Sequence, residues 1–433
     1  MIGLQELEKT TNASIISRGK PDRFENVYID SRKVTPGSIF FAIKGGRFDG
    51  HDFIADAVKN GAVAVVCQEE IKPIPGVSIL RVADSVKALG MLARFNRLKY
   101  SIPIIAVTGS VGKTMTKELI AKNLSGYGET VSTENNQNNQ IGVPLTLLKI
   151  RQSTKYAVVE LGSNHPGEIL YLASLIRPTL SLIVSVGASH LEAFETIDNI
   201  IDEKLSILDK TAADGYLVID GSDMLLVQKS FEKAGETGFD KKQIIKFDAG
   251  AVNKKRSNIP KQDLAAAQAV FSLILPNRTF KSISFNAHLR MEKYLLKGAS
   301  VIVDCYNANP ASFRYAVERL LSEAAERRFI IMGDMAELGK NSIKYHIQII
   351  NMIRALPECR LIAYGKITKS AIERCGISAP YFDNPEEAAS YLFCKIKKGD
   401  QLLIKGSRMF RMEKIWHEML KLSHGTQLEL PVK

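Results

Sequence analysis

Residues 104–118 read Ile-Ile-Ala-Val-Thr-Gly-Ser-Val-Gly-Lys-Thr-Met-Thr-Lys-Glu, an apolar run that ends in a glycine turn. Beyond the turn, Met115, Leu119, Ile120 and Leu124 recur at helical spacing, so the pattern predicts strand, tight turn and helix. The rest of the chain has to be arranged around this unit. Gly109 and Gly112 let the backbone bend closely enough for successive N–H groups to face phosphate oxygens, and the helix N-terminus adds partial positive charge. Lys113 can then reach terminal phosphates, and the Thr114 hydroxyl a Mg²⁺. The spacing departs from G-x-x-x-x-G-K-[ST], because position 107 is Val and the first glycine lies three residues before the second. An ordinary glycine-rich helix cap would read similarly; the strand before and the helix after favour nucleotide phosphate.

A chain of 433 residues exceeds what one hydrophobic core supports, so two to four domains are expected. With 45% hydrophobic and 24% charged residues it reads as soluble and globular. A net charge of +12 favours anionic partners. The basic residues form short clusters such as 254–256 and 395–398 without interleaved aromatics, which argues against nucleic acid. Cys67, Cys305, Cys359, Cys375 and Cys394 are scattered and odd in number, so neither a disulfide framework nor a zinc site is expected. No signal peptide is read at the N-terminus and no apolar run is long enough for membrane insertion, so a cytoplasmic location is expected.

In the first hundred residues, the stretches 30–42 and 45–51 set polar, glycine-rich turns beside apolar strands. They carry Ser31, Arg32, Asp49 and His51, groups able to meet a phosphorylated ligand, although such turns are also ordinary loop chemistry. Ser101-Ile-Pro103 reads as a hinge. The cluster 133–144 is dense in amides, including Asn138 and Asn139, and suits either ligand positioning or an Asx-turn loop.

Strand 156–162 carries Glu160 at its C-terminal end, and strand 180–187 delivers Ser189 and His190 to the same edge, where open parallel sheets bind ligands. The next helix has Thr196 as N-cap and an apolar stripe through Ile197, Ile200, Ile201, Leu205 and Leu208, with Lys204 falling on that stripe. The pattern alone favours a snorkelling lysine whose ammonium reaches water. The other reading places its amine inside, near Glu160 and His190, as a neutral or modified group. From about residue 289, strands 301–303, 329–332, 361–363 and 402–404 alternate with helices, implying a parallel sheet whose strand-end loops hold 306–310, 333–339 and 405–408.

Together these segments resemble the Mur ligases over nearly the whole chain. Asp30-Ser-Arg-Lys-Val-Thr-Pro-Gly with Asp49-Gly-His looks like the family's UDP-binding domain, and Thr108-Gly-x-x-Gly-Lys-Thr-x-Thr-Lys-Glu118 like its ATP loop. Asn138-Asn-x-Ile-Gly-Val-Pro, Glu160-x-Gly-x-Asn-His-x-Gly-Glu, His190-Leu-Glu-x-Phe, Gly333-Asp-Met-x-Glu-Leu-Gly and Lys405-Gly-Ser-Arg also match. Tyr306-Asn-Ala-Asn-Pro and the residues after His165 favour the branch joining D-alanyl-D-alanine to UDP-N-acetylmuramoyl tripeptide.

The resemblance implies a three-domain α/β architecture: a UDP-precursor-binding domain (1–100), a central P-loop ATPase-like domain with a parallel sheet (101–288), and a Rossmann-like C-terminal domain for the incoming dipeptide (289–433). It implies ATP contacts from Gly109, Ser110, Gly112, Lys113, Thr114, Thr116, Asn307 and Asn309, and precursor contacts from Ser31, Arg32, Asp49, His51, Asn138 and Asn139. Lys113, Glu160, His190 and Lys204 would be catalytic. Mg²⁺ would be held by Thr114, Glu160, His190 and Lys204, the last as a lysine carbamate made with CO₂. The enzyme would act as a cytoplasmic monomer.

Three departures stand out. The family's adenine-contacting His-Asn-x-x-Asn element is replaced by Asn258-Ile-Pro-Lys-Gln262 after a short segment, Ser206 replaces an expected acid, and Asp220 an expected Asn. Altered nucleotide contacts are expected from them. A ligase adding another amino acid and a non-catalytic nucleotide-binding paralogue stay open as alternatives.

Overall fold

The computed structural model describes residues 2–46, 48–252, 259–281 and 291–423. Asn258, the basic cluster 254–256 and the 288/289 boundary expected above lie outside them. Among the described residues three larger sheets each own one stretch of chain, with five strands within 14–81, six within 104–247 and six within 292–405, and a two-stranded sheet pairs Ile2–Gly3 with Arg23–Phe24.

The strand Ile104–Thr108 is wholly buried. A strand buried on both faces needs helices on both sides. Lys113–Ser125 and Lys261–Ile274 cover one face through Leu119, Ile120, Val270 and Phe271. Helices Gly142–Leu147, Glu168–Ile176 and Ile197–Leu205 cover the other through Val143, Ile169, Leu172 and Ile201. The six central strands run parallel in the order 244–247, 216–220, 180–183, 104–108, 156–160, 130–132. After 104–108 the chain fills one side and then crosses to the other. The loops following 104–108, 156–160 and 180–183 therefore meet at one carboxyl edge, the ligand edge of such sheets.

The third unit departs from the all-parallel expectation. Glu292–Leu296 pairs antiparallel with Ala299–Asp304 through a tight turn in which Lys297 and Gly298 both have positive φ, 54° and 75°. The remaining strands are parallel, with helices packed on both faces.

Two joints hold the units together. At the first, the last turn of helix Ser85–Leu98 sends two buried side chains onto helix ends of the central unit. Asn96 Nδ2 donates to the carbonyls of Leu147 and Ile150 at 3.0 and 3.1 Å. Arg97 donates to the carbonyls of Ile176 (2.8 Å), Tyr100 (2.8 Å) and Arg177 (3.3 Å). The Ile176 and Arg177 carbonyls end helix Glu168–Ile176, which cannot satisfy them itself, while the Leu147 carbonyl also accepts the Ile150 N–H. Arg97→Ala is expected to cost about 2–3 kcal/mol, read as a lower urea midpoint, because buried acceptors lose a charged donor; an unchanged midpoint would mean that packing alone holds the joint. The second joint is mainly apolar: Leu191, Phe194 and Ile200 of the central unit share one cluster with Met335, Leu338 and Phe313 of the third.

His346 sits fully buried in helix Ser342–Arg354. Its Nε2 accepts the Met335 N–H at 2.9 Å and Nδ1 faces the Ser342 carbonyl at 2.7 Å, so the ring is neutral with its proton on Nδ1. Burial holds its pKa below the ordinary value. The folded state then binds fewer protons than the unfolded one below about pH 6.5, and this contribution, complete above that pH, is lost as pH falls towards the folded pKa. The thermal midpoint should accordingly drop between pH 7 and 5.5, by less in His346→Gln than in the parent.

Candidate active site

A cavity of about 1100 Å³ opens at the carboxyl edge of the central sheet and is closed on its far side by the third unit. Gly109, Ser110, Gly112, Lys113, Asn138, Asn139, Glu160, His190, Lys204, Asn307 and Asn309 all line it. Ser31, Arg32, Asp49 and His51 do not; neither do Thr114 and Thr116.

Strand, loop and helix follow the sequence expectation, with Gly112 as the N-cap of Lys113–Ser125 at φ 86°. An added Cβ there would lie 2.3 Å from Asp263 Oδ1 and 2.9 Å from Val184 Cγ1, so the position admits only glycine. The expectation that successive loop N–H groups face a ligand needs correction. The Ser110 N–H donates to the Ser185 carbonyl at 2.8 Å, and the Val111 N–H to Ser185 Oγ at 2.9 Å. The loop is braced by Ser185, which leaves the helix N-terminus as the anion-facing part. Lys113 Nζ arches back to the Gly109 carbonyl at 2.6 Å. Thr116 is fully buried, its hydroxyl without a partner among the described residues.

Lys117, also buried, donates to the Thr133 carbonyl at 2.6 Å and to Glu118 Oε1 at 2.5 Å. Thr133 Oγ1 accepts the Glu160 N–H at 2.9 Å, so this lysine and threonine fix the strand end that carries the carboxylate. Glu160 is buried; Oε1 accepts from Asn138 Nδ2 at 2.8 Å, while Oε2 has no partner among the described residues. Ser163, which lines the same cavity, also has a buried hydroxyl without a partner among the described residues. An unpaired buried polar atom costs about 1–3 kcal/mol, so these two oxygens fit a site that a bound group completes. The carboxylate oxygen is a hard donor that fits a divalent cation such as Mg²⁺, with the His190 imidazole as a borderline nitrogen beside it.

His190 presses its Nδ1 to within 2.7 Å of Glu337 Oε2 from the third unit, and that contact holds the Glu337 carboxyl below the usual range. The pattern-based preference for a snorkelling Lys204 is overturned. Lys204 is 3% exposed, with no hydrogen bond or ion pair among the described residues, and burial next to Lys113 brings its pKa down to about 7. The neighbouring carboxylate does not pair with it: Glu203 accepts the N–H groups of Gly167 (2.7 Å) and Ile169 (2.8 Å), capping the helix Glu168–Ile176. A buried amine whose pKa is brought down in this way has a substantial neutral, nucleophilic fraction near neutral pH.

Several candidate side chains are committed to local structure. Asn139 Oδ1 accepts from Ile141 and Gly142 at 3.1 and 3.0 Å, starting the helix Gly142–Leu147. Asn309 caps helix Pro310–Leu321 in a capping box with Ser312, and Asn307 Oδ1 accepts the Ala308 N–H at 2.8 Å. The Asn307 carbonyl receives Lys405 Nζ at 3.0 Å, and Lys405 is itself paired with Asp304 at 2.6 Å. Asn307 and Asn309 thus shape the cavity wall through the loop they hold. Elsewhere on the cavity wall, Gln262 Nε2 donates to both the Val184 carbonyl (3.0 Å) and Asp220 Oδ2 (2.8 Å), tying together two of the departures noted in sequence.

The first-unit residues stand apart from the cavity. Asp30 caps residues 31–33 and pairs with the exposed Arg32 at 2.8 Å; Ser31 is buried, its carbonyl accepting from Asn60. Asp49 Oδ1 accepts from His51 N and Nδ1 at 3.0 and 2.6 Å, which brings its pKa down to about 2, and His51 Nε2 accepts from Gln68. Asp49, His51 and Glu69 offer ligand-type atoms within 4.8 Å of one another, but both His51 nitrogens are already engaged. Among the described residues no helix is long and apolar enough to cross a membrane.

A phosphate loop, a buried carboxylate with one oxygen unpartnered among the described residues, a histidine and a buried lysine thus meet at one cavity between a parallel-sheet domain and a second α/β unit, the groups a nucleotide-dependent enzyme needs. Family patterns agree: "Mur ligase family, catalytic domain" matches residues 23–97, "Mur ligase middle domain" 107–281, and "Mur ligase, glutamate ligase domain" 289–408. The chain belongs to the Mur ligase family. It is 31% identical to the UDP-N-acetylmuramoyl-tripeptide--D-alanyl-D-alanine ligase of Buchnera aphidicola, over 98% of each chain. Among solved structures, MurF from Acinetobacter baumannii superposes with a TM-score of 0.86 at 28% identity, covering 97% of this chain and 99% of that one. MurF ligase from Thermotoga maritima in complex with ADP gives 0.78 at 25% identity, covering 92% and 97%.

Proposed function

We propose that this chain is the cytoplasmic ligase that joins D-alanyl-D-alanine to UDP-N-acetylmuramoyl tripeptide at the expense of ATP. The observation that carries the reading is the convergence of the phosphate loop, Glu160, His190 and Lys204 on one cavity walled by the third unit; the full-length similarity to ligases of that name supports the substrates.

In the first step a carboxylate oxygen of the tripeptide attacks the γ-phosphorus of ATP, ADP leaves, and an acyl phosphate forms. In the second, the dipeptide amine attacks the acyl carbon, phosphate leaves and the amine loses a proton. Lys113, released from the Gly109 carbonyl, neutralises charge on the transferring phosphoryl group, and the N-terminus of its helix orients the phosphates. Glu160 and His190 on the cavity wall would hold Mg²⁺, joined by Thr114 only if its hydroxyl turns to the cavity it does not now line, and the ion when bound withdraws charge from the phosphates. The neutral Lys204 amine attacks the carbon of CO₂ and loses a proton; the resulting carbamate gives a buried anion on the cation side of the site. Residues 1–100 would hold the uridine nucleotide through Ser31, Arg32, Asp49 and His51, residues 101–288 ATP, and residues 289–433 the dipeptide, whose amine is aligned while water is excluded.

Phosphate release that requires both UDP-N-acetylmuramoyl tripeptide and D-alanyl-D-alanine is the expected result. Turnover with a single amino acid in place of the dipeptide would move the chain to another ligase specificity, and precursor binding without turnover to a non-catalytic paralogue.

A further inference from the structure

The carboxylate on His190 comes from a different unit. His190 follows strand Leu180–Ile183 of the central sheet, whereas Glu337 lies in the loop after strand Arg328–Met332 of the third. Both residues hold left-handed backbone, φ 53° and 64°. For residues other than glycine this is a strained conformation that persists only where surrounding contacts over-determine it. Local bonds support each turn, the His190 carbonyl accepting from Ala193 and Phe194 and the Ala336 N–H donating to Ser407, and further contacts cross the second joint. The Glu337 carbonyl accepts the Glu192 N–H at 3.2 Å, and a Cβ built at Gly339 would sit 3.3 Å from Glu192 Cα. Leu191 and Phe194 pack into the same cluster as Met335 and Leu338. Docking of one unit on the other thus adds the contacts that bring the two strained residues together.

An imidazole that donates Nδ1–H to a carboxylate presents Nε2 as a lone pair with tautomer and ring orientation fixed. We infer that Glu337 is a positioning residue for the cation site, setting the His190 tautomer across the domain boundary so that docking of the third unit and tight divalent-cation binding are one coupled event. The inference rests on the metal role given to His190 above. Coupling of this kind is reciprocal: if docking strengthens cation binding, the cation must strengthen docking by the same factor. Glu337 is half-exposed, so replacing it removes little packing.

The test uses the full chain with ADP. Mn²⁺ affinity is followed by the paramagnetic resonance of the free ion, and amide exchange at residues 190–194 and 335–339 is measured with and without Mg²⁺. Glu337→Ala should weaken Mn²⁺ by about 10–100-fold. Glu337→Gln, whose amide oxygen accepts the same N–H, should stay near the parent, and ADP affinity without metal should be unchanged in both. Mg²⁺ should slow exchange at both segments in the parent and in Glu337→Gln, and not in Glu337→Ala. Parent-like Mn²⁺ affinity in Glu337→Ala, equal weakening in both variants, or exchange indifferent to Mg²⁺ would overturn the inference. His190→Ala separates the layers: if it weakens Mn²⁺ while Glu337→Ala does not, only the positioning role falls, and if it too binds Mn²⁺ normally, the metal role of His190 falls with it.

Discussion

Lys204→Ala should lower ligation by about 10²–10³-fold, the scale of removing a preorganised charged group from a site, while leaving a folded protein. The physical case is the mismatch between burial and partnership. A lysine held inside for stability would be paired, and removing it would strand its partner at a cost of about 3–5 kcal/mol. Lys204 is 3% exposed and has no such partner among the described residues, so truncation strands nothing, and the lost stem packing is offset by removal of a poorly solvated amine. Rate and thermal midpoint should therefore separate: a large loss in the first, a change of a few degrees in the second. Formate or acetate, entering the space left by the side chain, should restore part of the rate if the working group is an anion. A variant that keeps most of its activity would remove the carbamate from the mechanism.

Gly112→Ala is expected to be the most damaging single change in the phosphate loop. Left-handed backbone costs a residue with a Cβ about 1–2 kcal/mol, and the added atom would collide with the Asp263 carboxylate, itself 4% exposed, and with Val184. Strain and overpacking together predict a stability loss of about 2–4 kcal/mol. ADP affinity should fall with it, because relieving the clash moves the helix N-terminus away from the phosphates. Gly238→Ala is the control: φ is also positive, 72°, but nothing lies within 4 Å of the new atom, so it should show the strain alone. Calorimetry with ADP and urea unfolding of both variants check this; parent-like ADP affinity in Gly112→Ala would show that the loop conformation is not what the nucleotide requires.

What the sequence made legible is what local patterns encode. The unit 104–118, the carboxylate at the end of strand 156–160 and the N-cap at Thr196 all appear where expected, because strand burial, glycine turns and caps are set by residues adjacent in sequence. The edge strand Glu292–Leu296 was invisible since its residues are mostly half-buried and alternate no clear face. Lys204 was misjudged from the helical stripe alone: a stripe shows which side faces inward, but not whether what covers it is water or another domain. Asn139 and Asn309 looked like ligand donors because capping and ligand binding draw on the same amide chemistry. Glu337, Glu203 and Ser185 were missed for another reason. Each acts on a residue far away in sequence or on backbone groups, and the only available hints were position 203 beside Lys204 and the glycine-bracketed loop 333–339.

The two joints differ in kind. At the first, Asn96 and Arg97 grip carbonyls at the ends of separate helices, and such bonds are lost when the partners turn by a few tens of degrees. At the second, contact is chiefly between apolar side chains, whose attraction has no preferred direction and survives sliding. The first joint adds apolar packing of Leu89 and Leu92 against Ile141, Leu145 and Leu148 to its directional bonds, whereas at the second the directional contacts gather on Glu337. Bonds of that kind between the first two units set the distance from a ligand anchored on the first to the phosphate loop, as a ruler does.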